Sequence, residues 1–410
     1  MSTSSISVLI VDDDPTVAAM LQQIIRQLGN GWICDPVWAD KGVFARAQLK
    51  KRQFQLVLLD YMLPDEDGLT VLTAINELPV SERPVVIMLT GAGNEQVAVT
   101  AMKMGVRDYF AKPVIDFQAL RRSIISALEH HQLEEKLAQS TEELRRKNAE
   151  MDSDLALARG VQQALLPQSY PVFPAGVSVE KSALRFCHRW IPSEKVAGDL
   201  FDVFPVGENA AGIFLFDVMG HGVRAALVTA LLRGLVHEEM QLADRPGKLL
   251  ERINRSLVTL LGQTGDLVFV TAIYVVIDAT TGALRMANAG HPAPLHLRRQ
   301  AKTVVSLAGT EEPGPALGLL GDTIYQETQA TLDQGDALLL FTDGLFEAAN
   351  GAGDEFGRKR LDDALVSQLS LPTLALIDVV LADIKTFQAA GAKGFEDDVC
   401  IVAVDRALCG

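Results

Sequence analysis

The chain is poor in cysteine and in aromatics, has no long apolar run and has no surplus of basic residues. Only four cysteines occur in 410 residues: Cys34, Cys187, Cys400 and Cys409. None forms a Cys-x-x-Cys pair or has a histidine at metal-ligand spacing. This excludes a disulfide scaffold and a thiolate zinc site, and points to small reduced thiols. No apolar stretch reaches the roughly 20 residues that span a bilayer, so no membrane partner is expected. The opening MSTSSISVLIVDDDP has no basic region before its apolar run, which argues against a signal peptide and for a cytoplasmic protein. The formal net charge is -15, from 37 Lys and Arg against 52 Asp and Glu. With no basic arm and no helix-turn-helix pattern, that charge argues against nucleic-acid binding. GGDEF-like and EAL-like motifs, and a kinase-like ATP-binding segment, are also missing.

What is present is hydrophobic patterning along the whole length, with 48% apolar residues, enough for more than one core. Three zones differ in pattern. In residues 1–128, short apolar runs at Ser7–Val11, Leu56–Leu59, Val85–Leu89 and Tyr109–Phe110 alternate with helical stretches such as Val17–Leu28 and Glu95–Met104. That alternation predicts an α/β domain, a doubly wound parallel sheet with helices on both faces.

Residues 129–166 belong to a long helix that begins near 117 and meets no Gly or Pro until Gly160 and Pro167. Leu137, Leu144, Met151, Ala158 and Leu165 recur every seven residues, which is one seam of a coiled coil. The second seam, Thr141, Asn148 and Leu155, is weak. The pattern is that of a two-stranded coiled coil, hence a homodimer through this helix, or of a solvated single helix. His130 and His131 lie on its exposed part.

Residues 167–410 carry longer strand-like runs, at Gly212–Asp217, Phe269–Ile277, Ala337–Phe341 and Val399–Val404. Hairpin-like turn signals stand at Asp278–Gly282 and Asp333–Gly335. Helical patterns fit Val223–Gln241, Pro246–Leu261 and Leu371–Ala389. A largely antiparallel α/β domain is expected.

Chemistry gathers at two sets of acids. Asp12, Asp13 and Asp14 follow the first strand, Asp60 the LVLLD run, Thr90 the VIMLT run and Lys112 the YFAKP run. In a parallel sheet these positions converge at the carboxyl edge. Clustered carboxylates need a cation, and Mg²⁺ suits such oxygen ligands. VDDD, LDYMLP with a downstream DG, TG and KP make this zone resemble a CheY-like receiver domain. The resemblance implies Asp60 as phosphoacceptor. It implies Asp12, Asp13, Asp60 and the Met62 carbonyl around Mg²⁺, and Thr90 and Lys112 against the phosphoryl group. Tyr109 would be the switch aromatic and a sensor histidine kinase the partner.

The second set is Asp199 in VAGDLFD, Asp217 in FLFDVMGHG, Asp343 in LLLFTDG, and Asp397 and Asp398 in FEDDVCIVAV. Acids beside apolar strands are costly unless a hard metal gathers them. Two Mg²⁺ or Mn²⁺ ions about 3.5–4 Å apart can activate a water for in-line attack on phosphorus. These motifs, with RGVQQALLP, FVTAIYVVID and MANAGHPAPL, resemble the SpoIIE/RsbU-like branch of the PPM metal-dependent protein phosphatases. The resemblance implies an α-β-β-α sandwich and a serine/threonine phosphatase. Asp217 would bridge two metals, with Asp199, the Val218 carbonyl, Asp343 and Asp397 completing the centre. The family pattern places Asn or Asp after the last ligand, which favours Asp397 over Asp398. It also implies a substrate, a phosphorylated STAS-domain anti-sigma-factor antagonist. The usual Gly-Gly-Asp is here Ala197-Gly198-Asp199, which fits unless position 197 needs a positive φ. His221 and His291 read as turn residues, and Trp38 and Trp190 as packing residues. A pseudophosphatase adaptor is the alternative, though such proteins commonly lose the acids kept here.

Overall fold

The computed structural model describes residues 4–29, 32–91, 95–112, 116–220, 222–262, 268–308, 313–388 and 395–408. It divides into two compact units, Met1–Asn148 and Ala149–Gly410.

The first unit holds strands β1 (Ser4–Val11), β2 (Trp32–Ala39), β3 (Leu56–Asp60), β4 (Val85–Gly91) and β5 (Asp108–Lys112). They form one parallel sheet in the order β2-β1-β3-β4-β5. Helices α1 (Pro15–Arg26), α2 (Gly42–Lys51), α3 (Gly68–Asn76) and α4 (Glu95–Lys103) connect the strands. α5 (Phe117–Leu165) follows β5. β3 is buried throughout, as a central parallel strand must be, and its LVLL run shows no alternation. One core, with Leu21, Ile25, Leu120 and Ile124, covers one face of the sheet; a second, with Ala45, Val71, Leu72 and Ala101, covers the other. Asp14 caps α1 by accepting from Thr16 N at 2.7 Å, and Pro15 sits in the first turn where its missing N–H costs nothing.

The second unit holds two five-stranded antiparallel sheets. One has the order β13-β10-β9-β8-β7, from β7 (Asp199–Val206), β8 (Ala210–Val218), β9 (Val270–Asp278), β10 (Ala283–Ala289) and β13 (Glu327–Thr331). The other has the order β12-β11-β14-β15-β6, from β6 (Leu184–Ile191), β11 (Leu295–Arg298), β12 (Thr303–Ser306), β14 (Ala337–Phe341) and β15 (Val399–Arg406). Helices α6 (Val223–Glu238) and α7 (Pro246–Leu261) cover the first sheet. α8 (Gly357–Ser367) and α9 (Thr373–Phe387) cover the second. Leu338, Leu340, Val402 and Val404 point inward and join the first sheet's core. Leu339, Phe341, Ile401 and Ala403 point outward to α8 and α9. This period-2 split of two fully buried strands yields the α-β-β-α sandwich.

Two sequence expectations change. Asp278–Gly282 does turn a hairpin between β9 and β10. Asp333–Gly335 does not: it joins β13 to β14, which belong to different sheets, so a turn signal alone could not reveal the pairing. The helix pattern at Val223–Gln241 ends earlier, at Glu238. Along α5, Leu137, Leu144 and Met151 are exposed within the chain.

Candidate active site and phosphoacceptor pocket

In the first unit, the parallel topology brings Asp12, Asp60, Thr90 and Lys112 to one sheet edge. Asp12, Asp60 and Thr90 are buried, while Asp13 is exposed. Carboxylate oxygens of Asp12, Asp13 and Asp60 lie within 4.8 Å of one another. Lys112 Nζ donates to Asp12 Oδ2 and to Asp60 Oδ2, each at 2.7 Å. Burial raises the Asp60 carboxyl above its ordinary range, and the Lys112 ammonium partly opposes this. Burial pushes the Lys112 ammonium down, but its bonds to Asp12 and Asp60 outweigh that and raise it. Met62 N donates to Asp60 Oδ1 at 3.4 Å. Tyr109 is half-exposed on the α4–β5 surface beside Val99 and Met102. Three carboxylates with a single lysine leave net negative charge, and their hard oxygen donors fit a magnesium-like ion.

In the second unit, β7 and β8 set Asp199 directly opposite Asp217. Cross-strand partners share a face, so the two carboxyl groups confront each other. β14 and β15 are antiparallel neighbours, so the end of one and the start of the other lie at one edge. That brings Asp343, just after β14, beside Asp397, just before β15. The two sheets meet where Thr342 Oγ1 donates to Asp199 Oδ2 at 2.6 Å. The same hydroxyl accepts from Cys400 N at 2.9 Å. Asp217, Gly220, Gly344, Glu347, Glu396 and Asp397 line a cavity of about 330 Å³. Gly220 and Gly222 have φ of 87° and 85° and carry the chain from β8 into α6.

The electrostatics are those of an unneutralised acid cluster. Asp199 is raised well above its usual range by burial and then by Asp217. Asp217 is raised by burial, then by Asp343 and Asp397. Asp343 is raised by burial, then by Asp397. Glu347 is raised by burial and then by Asp343. One buried and several partly buried carboxylates whose main charged neighbours are other carboxylates fit divalent cations, which remove that repulsion.

The adjacent acids Asp397 and Asp398 differ. Asp397 is exposed toward the cavity. Asp398 is buried and already committed: Oδ1 accepts from Ser193 N at 2.7 Å and Ser193 Oγ at 2.9 Å, and Oδ2 from Gly198 N at 2.5 Å. Its oxygens hold the segment leading into Asp199. Among the described residues only Lys302 combines a side chain with positive φ, so Ala197 needs no glycine. Gly198 is the position that does: a Cβ there would lie 2.9 Å from the Val218 carbonyl oxygen.

The sequence reading missed several roles. Thr342, Glu347 and Glu396 carried no motif signal beyond their neighbours. Trp38 and Trp190 are more than packing residues. Trp38, 42% exposed, donates Nε1–H to the Asp12 carbonyl at 2.8 Å, and Trp190 donates to the Asp199 carbonyl at 3.0 Å. His291 is buried in its turn with Nδ1 2.9 Å from Thr271 Oγ1. His221 and Cys409 lie outside the described residues.

Residues 8–125 match the response regulator receiver domain, and residues 207–407 match the stage II sporulation protein E (SpoIIE) family. The chain joins a receiver domain to a SpoIIE-type PPM phosphatase domain. It is 27% identical over 253 residues to the phosphoserine phosphatase RsbP of Bacillus subtilis, covering 62% of this chain and 57% of that protein. It is 26% identical over 216 residues to RsbU of the same organism, covering 52% of this chain and 60% of RsbU. The chain thus spans under two thirds of those relatives. The SiaA-PP2C domain of Pseudomonas aeruginosa shares the fold, with a TM-score of 0.53 and 23% identity, over 63% of this chain and 97% of that domain. The PPM phosphatase family is metal-dependent, in keeping with the acid cluster.

Proposed function

We propose that the chain is a response regulator whose output is metal-dependent dephosphorylation of a phosphoserine or phosphothreonine protein. The observation that carries this reading is the facing Asp199–Asp217 pair, whose Asp217 lines the acid-lined cavity. Asp217, Asp199, the Val218 carbonyl, Asp343 and Asp397 would together hold two Mn²⁺ or Mg²⁺ ions. Asp398 would instead hold the 193–198 segment. Bound divalent cations supply Lewis-acid activation of water and neutralise phosphoryl charge for in-line attack. Asp217 and Asp397 orient their oxygens toward the cavity, and Thr342 fixes Asp199 by donating to it. Glu347 lines the same cavity beside Asp343.

In the receiver, Asp60 would take a phosphoryl group from a sensor histidine kinase with Mg²⁺ held by Asp12, Asp13, Asp60 and the Met62 carbonyl. Lys112 and Thr90 would contact the added oxygens, and Tyr109 would report the change at the surface. The substrate is proposed from RsbP and RsbU, both phosphoserine phosphatases by name, and from the family resemblance: a phosphorylated STAS-domain anti-sigma-factor antagonist. The exposed seam of α5 supports a homodimer, and the protein is proposed to act in the cytoplasm. No helix of the described residues is long and apolar enough to cross a membrane. The adaptor reading is disfavoured because every expected acid is retained.

The test is phosphate release from a phosphoserine STAS-domain protein, with Mn²⁺, with Mg²⁺ and with chelator, before and after acetyl phosphate. Metal-dependent release that changes with Asp60 phosphorylation supports the reading. Equal release with and without metal contradicts it.

A further inference from the structure

Trp38 stands one residue before the end of β2 with its side chain largely at the surface, yet its one polar atom faces the protein. Nε1–H donates to the Asp12 carbonyl at 2.8 Å. The β1–β2 register pairs Ile10 with Trp38 and Val11 with Ala39. The Asp12 amide continues that ladder by donating to the Ala39 carbonyl at 3.1 Å. The end of β2 therefore holds both backbone groups of Asp12, one by strand pairing and one by the indole. A residue this exposed adds little to the core, so its substitution should spare the fold.

The Asp12 side chain is engaged as well. Oδ1 accepts from Asp14 N at 3.0 Å and Oδ2 from Lys112 Nζ at 2.7 Å. Asp14 in turn caps α1 by accepting from Thr16 N at 2.7 Å. Asp13 is thus suspended between two fixed residues. Its exposed carboxylate joins those of Asp12 and Asp60, with oxygens within 4.8 Å of one another. The Asp12 carbonyl and the Asp13 N–H share one rigid peptide plane. Fixing that carbonyl fixes the plane from which Asp13 projects.

We propose that Trp38 is a positioning residue for the receiver's magnesium site, its indole N–H setting the Asp12–Asp13 peptide and with it the aim of the Asp13 carboxylate. This rests on the reading above in which Asp12, Asp13 and Asp60 hold Mg²⁺, and adds to it a residue from a neighbouring strand. Loss of an outer-shell partner of a metal ligand typically changes affinity by about 10–100-fold. Trp38→Phe keeps an aromatic ring and removes the donor. Trp38→Gln removes the ring and keeps a donor, because its Nε2 stands as many bonds from Cβ as the indole Nε1 does.

The experiment is calorimetric Mg²⁺ binding to the full chain, with Asp13→Asn marking the binding step that belongs to the receiver. The Mg²⁺ midpoint for phosphorylation of Asp60 by acetyl phosphate, read by intact mass, is the second readout, and thermal unfolding shows that each variant is folded. The expected result is a receiver Mg²⁺ affinity weakened by roughly 10–100-fold in Trp38→Phe and near native in Trp38→Gln, with phosphorylation of Trp38→Phe recovering at high Mg²⁺. Benzothienylalanine at position 38, which keeps the bicyclic shape with sulfur in place of the N–H, should weaken binding as Trp38→Phe does. It carries the comparison if Trp38→Phe does not fold. Native affinity in folded proteins that lack the donor would overturn the inference. So would equal weakening in Trp38→Gln, which would assign the effect to the ring. A native chain with no binding step lost in Asp13→Asn overturns the magnesium reading itself, a distinct outcome.

Discussion

Asp397 and Asp398 are adjacent acids with opposite expected consequences when removed. Asp398→Ala deletes the acceptor for Gly198 N, Ser193 N and Ser193 Oγ. Each buried donor left unpaired costs about 1–3 kcal/mol. Two backbone N–H groups lose their partner, so the metal-free second unit should lose about 3–5 kcal/mol. For a unit of this size, 1 kcal/mol moves Tm by about 2–4 °C, so a fall of roughly 10 °C is expected. Asp397→Asn removes an exposed carboxylate that raises the Asp217 and Asp343 carboxyls. Its metal-free Tm should stay level or rise slightly. Mn²⁺ should raise Tm in the native chain and, from a lower starting point, in Asp398→Ala. That rise should be largely lost in Asp397→Asn. The assay is thermal unfolding of the second unit in chelator and over a Mn²⁺ series. The opposite crossing would refute the reasoning: Asp398→Ala losing the Mn²⁺ response at unchanged metal-free Tm, with Asp397→Asn destabilised but still responsive.

Three further outcomes are expected. Lys112→Ala should abolish phosphorylation of Asp60 by acetyl phosphate, because Asp12 and Asp60 lose their shared cation; intact-mass analysis reads the added phosphoryl group. Thr342→Val keeps the shape but removes the donor to Asp199 and the acceptor for Cys400 N, and should cost about 2–4 kcal/mol in denaturant unfolding and raise the Mn²⁺ requirement. His291, pushed down to about 3 by burial, stays neutral in the folded state. A depressed folded pKa means stability present above the unfolded value, near 6.5, and lost as pH falls below it. Between pH 6.5 and 5 this amounts to about 2 kcal/mol, and His291→Gln should flatten that part of the denaturant-midpoint profile against pH.

The receiver was legible because its chemistry sits at strand ends, where period and motif coincide. Asp12, Asp60, Thr90 and Lys112 each follow an apolar run, and parallel topology does the rest. β2 escaped notice because it is an edge strand, WICDPVWA, with Pro36 inside it and alternate residues exposed, so it has no apolar run. In the second unit, Ala337–Phe341 and Pro246–Leu261 coincide with β14 and α7, one a fully buried strand and the other a strongly amphipathic helix. β6, β12 and β13 were not read from the sequence, since their half-buried and exposed residues give mixed patterns, and β10 and β11 carry Arg285, Asn288 and His296 among buried apolar residues. The different duties of Asp397 and Asp398 were legible only as a preference, because hydrogen bonding to Ser193 and Gly198 joins positions about 200 apart. Gln162 was visible in the QQALLP motif, but its hydrogen bonds to the Ala197 backbone were not, because they join a helix to a loop 35 positions on.

The facing acids around Asp217 are expected to hold the metal that makes the output domain a phosphatase. The most direct measurement is phosphate release from a phosphoserine STAS-domain protein by the native chain and by Asp217→Asn, over a Mn²⁺ series. Saturable, chelator-sensitive release is expected in the native chain, with a loss of at least about a hundredfold in Asp217→Asn, as for removal of a principal charge-stabilising group. Undiminished release from Asp217→Asn, or release indifferent to chelator, would contradict it.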